Sequence, residues 1–362
     1  MTYSEEEIAW ILLCSLNGMT PKRFYRVLAQ AGDCVRIINE PEAYRKALGD
    51  KLTERLKGLL AKDETTELFA RMEKLNVSAM TRVGKEYPES LQHIPDPPPV
   101  LFIKGSLTLE SEKQLAIVGT RRATYDGKKS ASVFAGILTE SGVSIVSGLA
   151  RGIDTLAHTA CLEAGGHTIA VLGNGLASVY PPENESLAQQ IVDHGGSVIS
   201  ELPLDETPSR WTFPARNRLI AGLSRGVLIV EGDRKSGSLI TANAALEQGR
   251  EVFAIPGSIY NSQAEGTNYL IQNGAFPALS PMDIIEYMHW SGATKIETKE
   301  ITPPELDETE KIIYDLLKNE TLSFEELAEA TGFDAEELNS CLTMLTLRSI
   351  IIRLPGNQYR LA

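Results

Sequence analysis

The chain has 362 residues, 43% hydrophobic and 23% charged, with a formal charge of −13, which is apolar mass enough for two or three domains with cores of their own. No apolar run reaches the roughly 18–20 residues of a membrane-spanning helix, and the acidic opening MTYSEEEIAW lacks the basic-then-apolar layout of a signal peptide. Cys14, Cys34, Cys161 and Cys341 lie far apart without CxxC spacing, so neither a metal site nor a disulfide framework is expected, and the expected setting is reducing and cytoplasmic.

The net negative charge speaks at first against a nucleic-acid partner, because phosphate binding needs cations. Its distribution weakens that objection. Residues 261–362 carry 17 acidic against 7 basic residues, whereas residues 112–260 carry 15 against 13. A local basic groove is compatible with such a middle.

In chain order, residues 1–80 read as a helical module. EEEIAWILLCSL, PKRFYRVLAQAG, PEAYRKAL and DKLTERLKGLLAK place apolar residues three and four apart, and Gly18 and Pro21 mark a turn with proline early in the next helix. Four prolines in 95–99 then mark an extended connector into a strand, VLFIKG. From about residue 112, QLAIVGT, VSIVSGLA, HTIAVLGNG, SVISELP, GVLIVEGD and EVFAIPGS alternate with helix-like segments. Continuous apolar strands between helices predict a doubly wound, mostly parallel α/β sheet of the extended Rossmann-like class over residues 81–290. SGATKIETKEITPP is expected to be a linker over 291–304. Residues 305–362 then predict three helices and a hairpin, the winged-helix layout. Ser323 and Glu326 form a capping box, and Gly332 stops that helix. The third tail helix, DAEELNSCLTMLTLRS, carries acids and only Arg348, which suits packing or protein contact better than a major groove.

Ligands of an open parallel sheet bind beyond the carboxyl ends of its strands, and the unusual residues gather there. Gly119, Thr120, Arg121 and Arg122 follow the first core strand; Gly148 and Arg151 follow the second. Phe213 and the cluster Arg216-Asn217-Arg218 stand where a helix is expected to begin, and Lys235-Ser236-Gly237-Ser238 opens another. Free amides at helix starts bind oxyanions, and arginine adds bidentate phosphate contacts. The expectation is an anion-binding face wider than one nucleotide requires. Single strands are held by such a groove, with an aromatic side chain stacking on bases; here Arg216 and Arg218 are expected to bracket phosphates, Phe213 to face a base and Asn217 to order the turn.

Catalytic readings do less well. GTRRATYDG replaces the GxGxxG dinucleotide fingerprint, and there is no GxxxxGK[ST] loop. Asp154, Glu201, Glu231 and Asp233 form no recognisable dyad; pairing with the arginines is the expected role. His158 and His167 have no ligand partner at metal spacing.

The motifs VSGLARGIDTLAH, FPARNRLIAGLS and VEGDRKSGSLITANAALEQGREVFAIPGS resemble the DNA-processing protein A (DprA, or Smf) family, from YPESLQHIPDPPPVLFIKG to about residue 276. The resemblance implies a protein that is not an enzyme and uses no cofactor. It implies binding of single-stranded DNA, protection of incoming DNA in natural transformation, loading of the RecA recombinase, and homodimerisation through the Rossmann-like domain. It makes the helical module SAM-like and the tail a winged helix. It also assigns Gly119 and Arg121 to the family's phosphate-binding Gly-Ser-Arg turn and Arg151 to the SGLARGID motif. Phe213, Arg216, Asn217 and Arg218 fall in the FPxRNR motif, and Lys235, Ser236, Gly237 and Ser238 in the KSGS turn. One departure stands out: Tyr180-Pro181-Pro182-Glu183-Asn184 has proline where many members have a DNA-contacting lysine, with Arg122 or Lys235 as candidate substitutes. The alternative kept open is a nucleotide-processing enzyme of the lysine-decarboxylase-like phosphoribohydrolase type, although IPGSIYNSQAEGTN lacks its PGGxGTxxE motif. A third reading is an interaction protein acting through its acidic tail.

Overall fold

A computed structural model describes residues 3–61, 64–107, 113–290, 306–318, 320–348, 350–354 and 356–361. The chain divides into two compact units, residues 1–294 and 295–362. The linker expected over 291–304 lies outside the described residues, as does Pro355 of the tail hairpin.

The first unit begins with helices α1 (Glu5–Cys14), α2 (Pro21–Ala31), α3 (Cys34–Asn39), α4 (Arg45–Leu48), α5 (Asp50–Ala61) and α6 (Glu64–Lys74). Ser4 and Glu7 close a capping box on α1, and Thr20 caps α2, whose first residue is proline. A proline there loses nothing, since its amide would be unpaired anyway. The helices end at Lys74, before the expected boundary at residue 80, and strand β1 (Ser78–Thr81) spans that position and pairs with the sheet. Four residues with alternate burial are too short a pattern to separate from a loop in the sequence.

The sheet has nine strands. After β1 come β2 (Val100–Gly105), β3 (Gln114–Val118), β4 (Ser144–Ser147), β5 (Thr168–Val171), β6 (Ser197–Ser200), β7 (Gly226–Ile229), β8 (Glu251–Ala254) and β9 (Phe276–Pro277), in the order β1-β2-β6-β5-β4-β3-β7-β8-β9. From β6 to β9 neighbours run parallel, while β1 with β2 and β2 with β6 are antiparallel. The intervening helices are α7 (Glu89–Gln92), α8 (Tyr125–Glu140), α9 (Ile153–Glu163), α10 (Glu185–Asp193), α11 (Thr212–Gly222), α12 (Gly237–Glu247), α13 (Glu265–Gln272) and α14 (Pro281–Tyr287).

Alternate strand residues serve opposite faces, as the period of two requires. Ala116, Val118, Val146, Val227 and Ile229 pack with residues of α11 and α12. Leu115, Ile117, Ile145 and Leu228 pack with α8 and α9. Val100, Phe102 and Val198 share a third cluster with α10 and the first helices, so the helical segment buries its apolar side on the same sheet. The chain leaves β3 for one face and β7 for the other, and these two strands are neighbours. That arrangement is a topological switch point, where the loops part and leave a crevice.

The second unit contains α15 (Glu308–Leu316), β10 (Leu322–Ser323), α16 (Phe324–Thr331), α17 (Ala335–Leu347), β11 (Ile351–Leu354) and β12 (Gln358–Leu361). Its strands form an antiparallel sheet in the order β10-β12-β11, giving the expected winged-helix layout. Ser323 and Glu326 form the predicted box, and Gly332 ends α16 at φ +70°. Arg348 pairs with the buried Glu310 at 2.7 Å, so the single cation of the third tail helix serves the core of its own unit.

Candidate nucleic-acid interface

The crevice is built from four turns, each held by its own polar contacts. After β3, Glu231 at the end of β7 fixes the turn: its carbonyl accepts from the Thr120 amide at 2.7 Å. Its carboxylate accepts from the Thr124 amide and hydroxyl at 2.9 and 2.5 Å. Glu231 is thus a brace for this turn and not, as expected, a partner of the arginines. Arg121 and Arg122 are exposed, and neither has a carboxylate partner among the described residues.

After β4, the turn takes Leu149 through φ +55° and Gly152 through φ +81°. Asp154, buried beneath it, accepts from the Gly148 and Ala150 amides at 3.1 and 3.4 Å. Burial raises the Asp154 pKa, and the Arg216 guanidinium works against that rise. Asn184 donates to the Leu149 carbonyl at 2.8 Å, tying in the segment that carries Pro182.

The Arg216-Asn217-Arg218 cluster differs most from expectation. Helix α11 starts at Thr212, so the triplet lies in its second turn and not at its entrance. Residues two apart on a helix point about 200° away from each other, and Arg216 and Arg218 therefore cannot bracket one phosphate. Arg216 turns inward, donating to the Gly148 carbonyl at 2.8 Å and to the Val171 carbonyl. Its burial lowers its pKa to about 10, with Asp154 opposing the shift and Arg121 adding to it; it remains charged at neutral pH. Arg218 pairs with the buried Glu201 instead of lining the crevice. Asn217 does order the region, donating to the Gly237 carbonyl at 3.2 Å and so joining α11 to the start of α12.

Before α12, Ser236 caps the helix and accepts from the Ser238 amide at 3.3 Å, while Asp233 accepts from the Lys235 amide at 2.7 Å. Lys235 itself is exposed. Phe213 lies half-buried below the Arg121 guanidinium, 5.2 Å from its ring centroid, and packs on Tyr180 at 5.6 Å.

These turns enclose an open cavity of about 340 Å³ lined by Gly119, Thr120, Arg121, Arg122, Phe213, Arg216, Asn217, Lys235, Ser236, Gly237 and Ser238. Gly148 and Arg151 line an adjoining hollow together with Arg121, Phe213 and Tyr180. Gly148 has no room for a side chain, since a Cβ would lie 2.5 Å from the Arg216 Nη2. Arg151 pairs with Glu183 at 2.7 Å, and not with Asp154. The sequence reading passed over Trp211 and gave Tyr180 no place in the site; an aromatic beside a Pro-Pro pair and a 71% exposed tryptophan are signals only once their neighbours are known.

Nothing in this arrangement is a nucleophile with a base. The His158 Nδ1 lies 2.8 Å from the Thr168 hydroxyl, which donates to the Ile145 carbonyl, so the ring nitrogen carries the proton. Burial drives the His158 pKa down to about 3 and keeps the ring neutral. Among the described residues no cluster of three or more His, Cys, Asp or Glu is placed to hold a metal ion, and no helix is long and apolar enough to cross a membrane.

Comparison with known proteins places the chain in a family. The family described as DNA recombination-mediator protein A matches residues 78–289, and the DprA winged helix domain matches residues 297–357. Protein Smf of Escherichia coli is 41% identical over 282 residues, covering 76% of this chain and 75% of that protein. Protein Smf of Synechocystis is 34% identical and covers 99% of both chains. The crystal structure of DNA processing protein A from Streptococcus pneumoniae superposes with a TM-score of 0.66 at 36% identity, over 79% of this chain and 98% of that one. A structure of the Helicobacter pylori protein, described for its single-stranded DNA binding mode, gives 0.54 at 31% identity over 59% of this chain and 95% of that one. By these matches the chain belongs to the DNA recombination-mediator protein A family, also called DprA or Smf.

Proposed function

We propose that this protein is a recombination mediator that binds single-stranded DNA along the carboxyl end of its sheet and performs no catalysis. The observation that carries the site is the meeting of Arg121, Arg122, Lys235 and the N-terminal end of α12 around one open cavity, with Phe213 on its wall. Cations without carboxylate partners beside a helix N-terminus bind phosphates, and an aromatic wall takes a base. Gly119, Thr120, Ser236, Gly237 and Ser238 keep side chains small so that the backbone reaches the strand. Arg216, Asn217 and Gly148 shape the floor. Arg122 and Lys235 supply the charge that Pro182 does not.

The further partners follow from the family. The protein protects incoming DNA in natural transformation and passes the strand to a RecA-type recombinase, in the cytoplasm. It works as a homodimer through the Rossmann-like unit; Ile259, Tyr260 and Leu279, 80%, 93% and 77% exposed around the β8 and β9 end of the sheet, offer apolar area for a second copy. Pairing two troughs raises avidity without new contacts.

A salt titration with labelled oligo-dT and with a duplex of equal length tests the reading. Binding is expected to favour the single strand and to weaken linearly in log salt, with a slope of about −0.7 per phosphate held. Equal or tighter duplex binding, or no binding, overturns it. Release of free base from nucleoside monophosphates would favour the phosphoribohydrolase alternative instead. In the same titration Glu183→Ala frees Arg151 from its half-exposed pair. The expected result is two- to fivefold tighter oligo-dT binding and a slope steeper by about 0.7, with stability unchanged because such pairs contribute little.

A further inference from the structure

A second cavity, of about 390 Å³, runs along α11 and shares only Arg216 with the trough. Its walls are mostly apolar, with Met19, Pro21 and Phe24 from the helical segment and Leu172, Leu202 and Trp211 from the sheet side. Trp211 is two residues before Phe213, 71% exposed, with the Arg210 guanidinium 4.7 Å from its ring centroid. A large aromatic left in water at the edge of an apolar slot is a stacking surface in want of a flat partner.

Among the charged side chains that line the same slot, Glu201 and Arg218 are 9% and 17% exposed. Arg218 gives one amino group to the Glu201 Oε2, and its Nη1 is buried with no partner. The Glu201 Oε1 has no hydrogen-bond partner among the described residues. An unmade bond on a buried charged group costs more than the same bond contributes when made. Lys22, exposed and 3.3 Å from Asp96, completes the polar lining on the helical side.

A carboxylate with a spare oxygen beside a guanidinium with a spare N–H matches one nucleobase edge. Guanine presents two adjacent donors, N1–H and N2–H, next to the O6 acceptor. Adenine and cytosine present a bare ring nitrogen where the second donor is needed, and thymine offers a single N–H between two carbonyls. The site's spare groups reject those bases by leaving buried polar atoms unpaired.

We propose that this cavity takes a guanine base of the bound strand, with Trp211 stacking on the ring, Glu201 accepting from N1–H and N2–H, and Arg218 donating to O6. The inference rests on the reading that the trough holds single-stranded DNA, and it adds a base preference to binding that phosphate contacts alone leave indifferent to sequence.

The experiment compares the full chain's affinity for oligo-dT with that for the same oligomer carrying one central dG, dA or dC. The dG oligomer is expected to bind about tenfold tighter than oligo-dT, and the dA and dC oligomers no tighter. Glu201→Gln and Trp211→Ala are each expected to bring the dG ratio to about one; Trp211 is exposed, so its variant folds even where loss of the Glu201 charge does not permit folding. Oligo-dT binding with no dG preference in the wild type overturns the inference and leaves the trough intact, whereas failure to bind any oligomer removes both. A dG preference that survives in both variants overturns the assignment to this cavity. Quenching of tryptophan fluorescence by free guanosine monophosphate, without a dG preference in the strand, also overturns it, since the occupant is then a free nucleotide.

Discussion

Replacing Arg121 by alanine is expected to weaken oligo-dT binding by about ten- to a hundredfold and to make the log-salt slope shallower by about 0.7, with the melting temperature unchanged. Arg121 lines both the trough and the adjoining hollow, is exposed, and has no carboxylate to neutralise it among the described residues. It also lies over the Phe213 ring at 5.2 Å, so its removal takes away a phosphate contact and uncovers the aromatic wall together. Few structural contacts are lost. Equal affinity in wild type and variant, with equal slopes, would show that the strand does not cross this rim.

Arg216→Ala is expected to act on stability first. The buried guanidinium bonds the carbonyls of Gly148 and Val171 and faces the buried Asp154. Its loss leaves two carbonyls unpaired and a carboxylate without its compensating charge, a change that costs about 3–5 kcal/mol. The urea midpoint should fall accordingly at pH 7 with little change in the slope m. The pH dependence has a definite sign. Burial already raises the Asp154 pKa in the native chain, and without Arg216 it rises further. A group whose folded pKa exceeds its unfolded value stabilises the fold as protons bind, so the deficit of the variant should shrink from pH 8 towards pH 5. A variant as stable as the parent at pH 7, but deficient in DNA binding, would return Arg216 to the role of a phosphate ligand.

The contrast between these two arginines shows where the sequence was legible. The parallel sheet was, because buried strands such as QLAIV and GVLIV read as continuous apolar runs bounded by Gly-rich turns. The gathering of the turns at one end was also legible, since strand direction alone puts β3, β4 and β7 loops on the same edge. The tail helices announced themselves through Ser323, Glu326 and Gly332. What could not be read was the division of labour among similar side chains. Whether an arginine in the FPARNR segment faces solvent or core depends on where α11 begins, and shifting that start by four residues sends Arg216 inward and Arg218 to Glu201. Pairings such as Arg151 with Glu183 join residues 32 apart in sequence, and no local pattern encodes them. Strands β1 and β9, of four and two residues, are set by the sheet they join rather than by a period of their own.

The measurement that bears most directly on the account is a structure of the complex with oligo-dT. The account predicts successive phosphates at the Arg121 guanidinium and at the N-terminal end of α12 beside Lys235, with a base against Phe213. A strand lying on another face of the protein, with the trough between β3 and β7 empty, would contradict it.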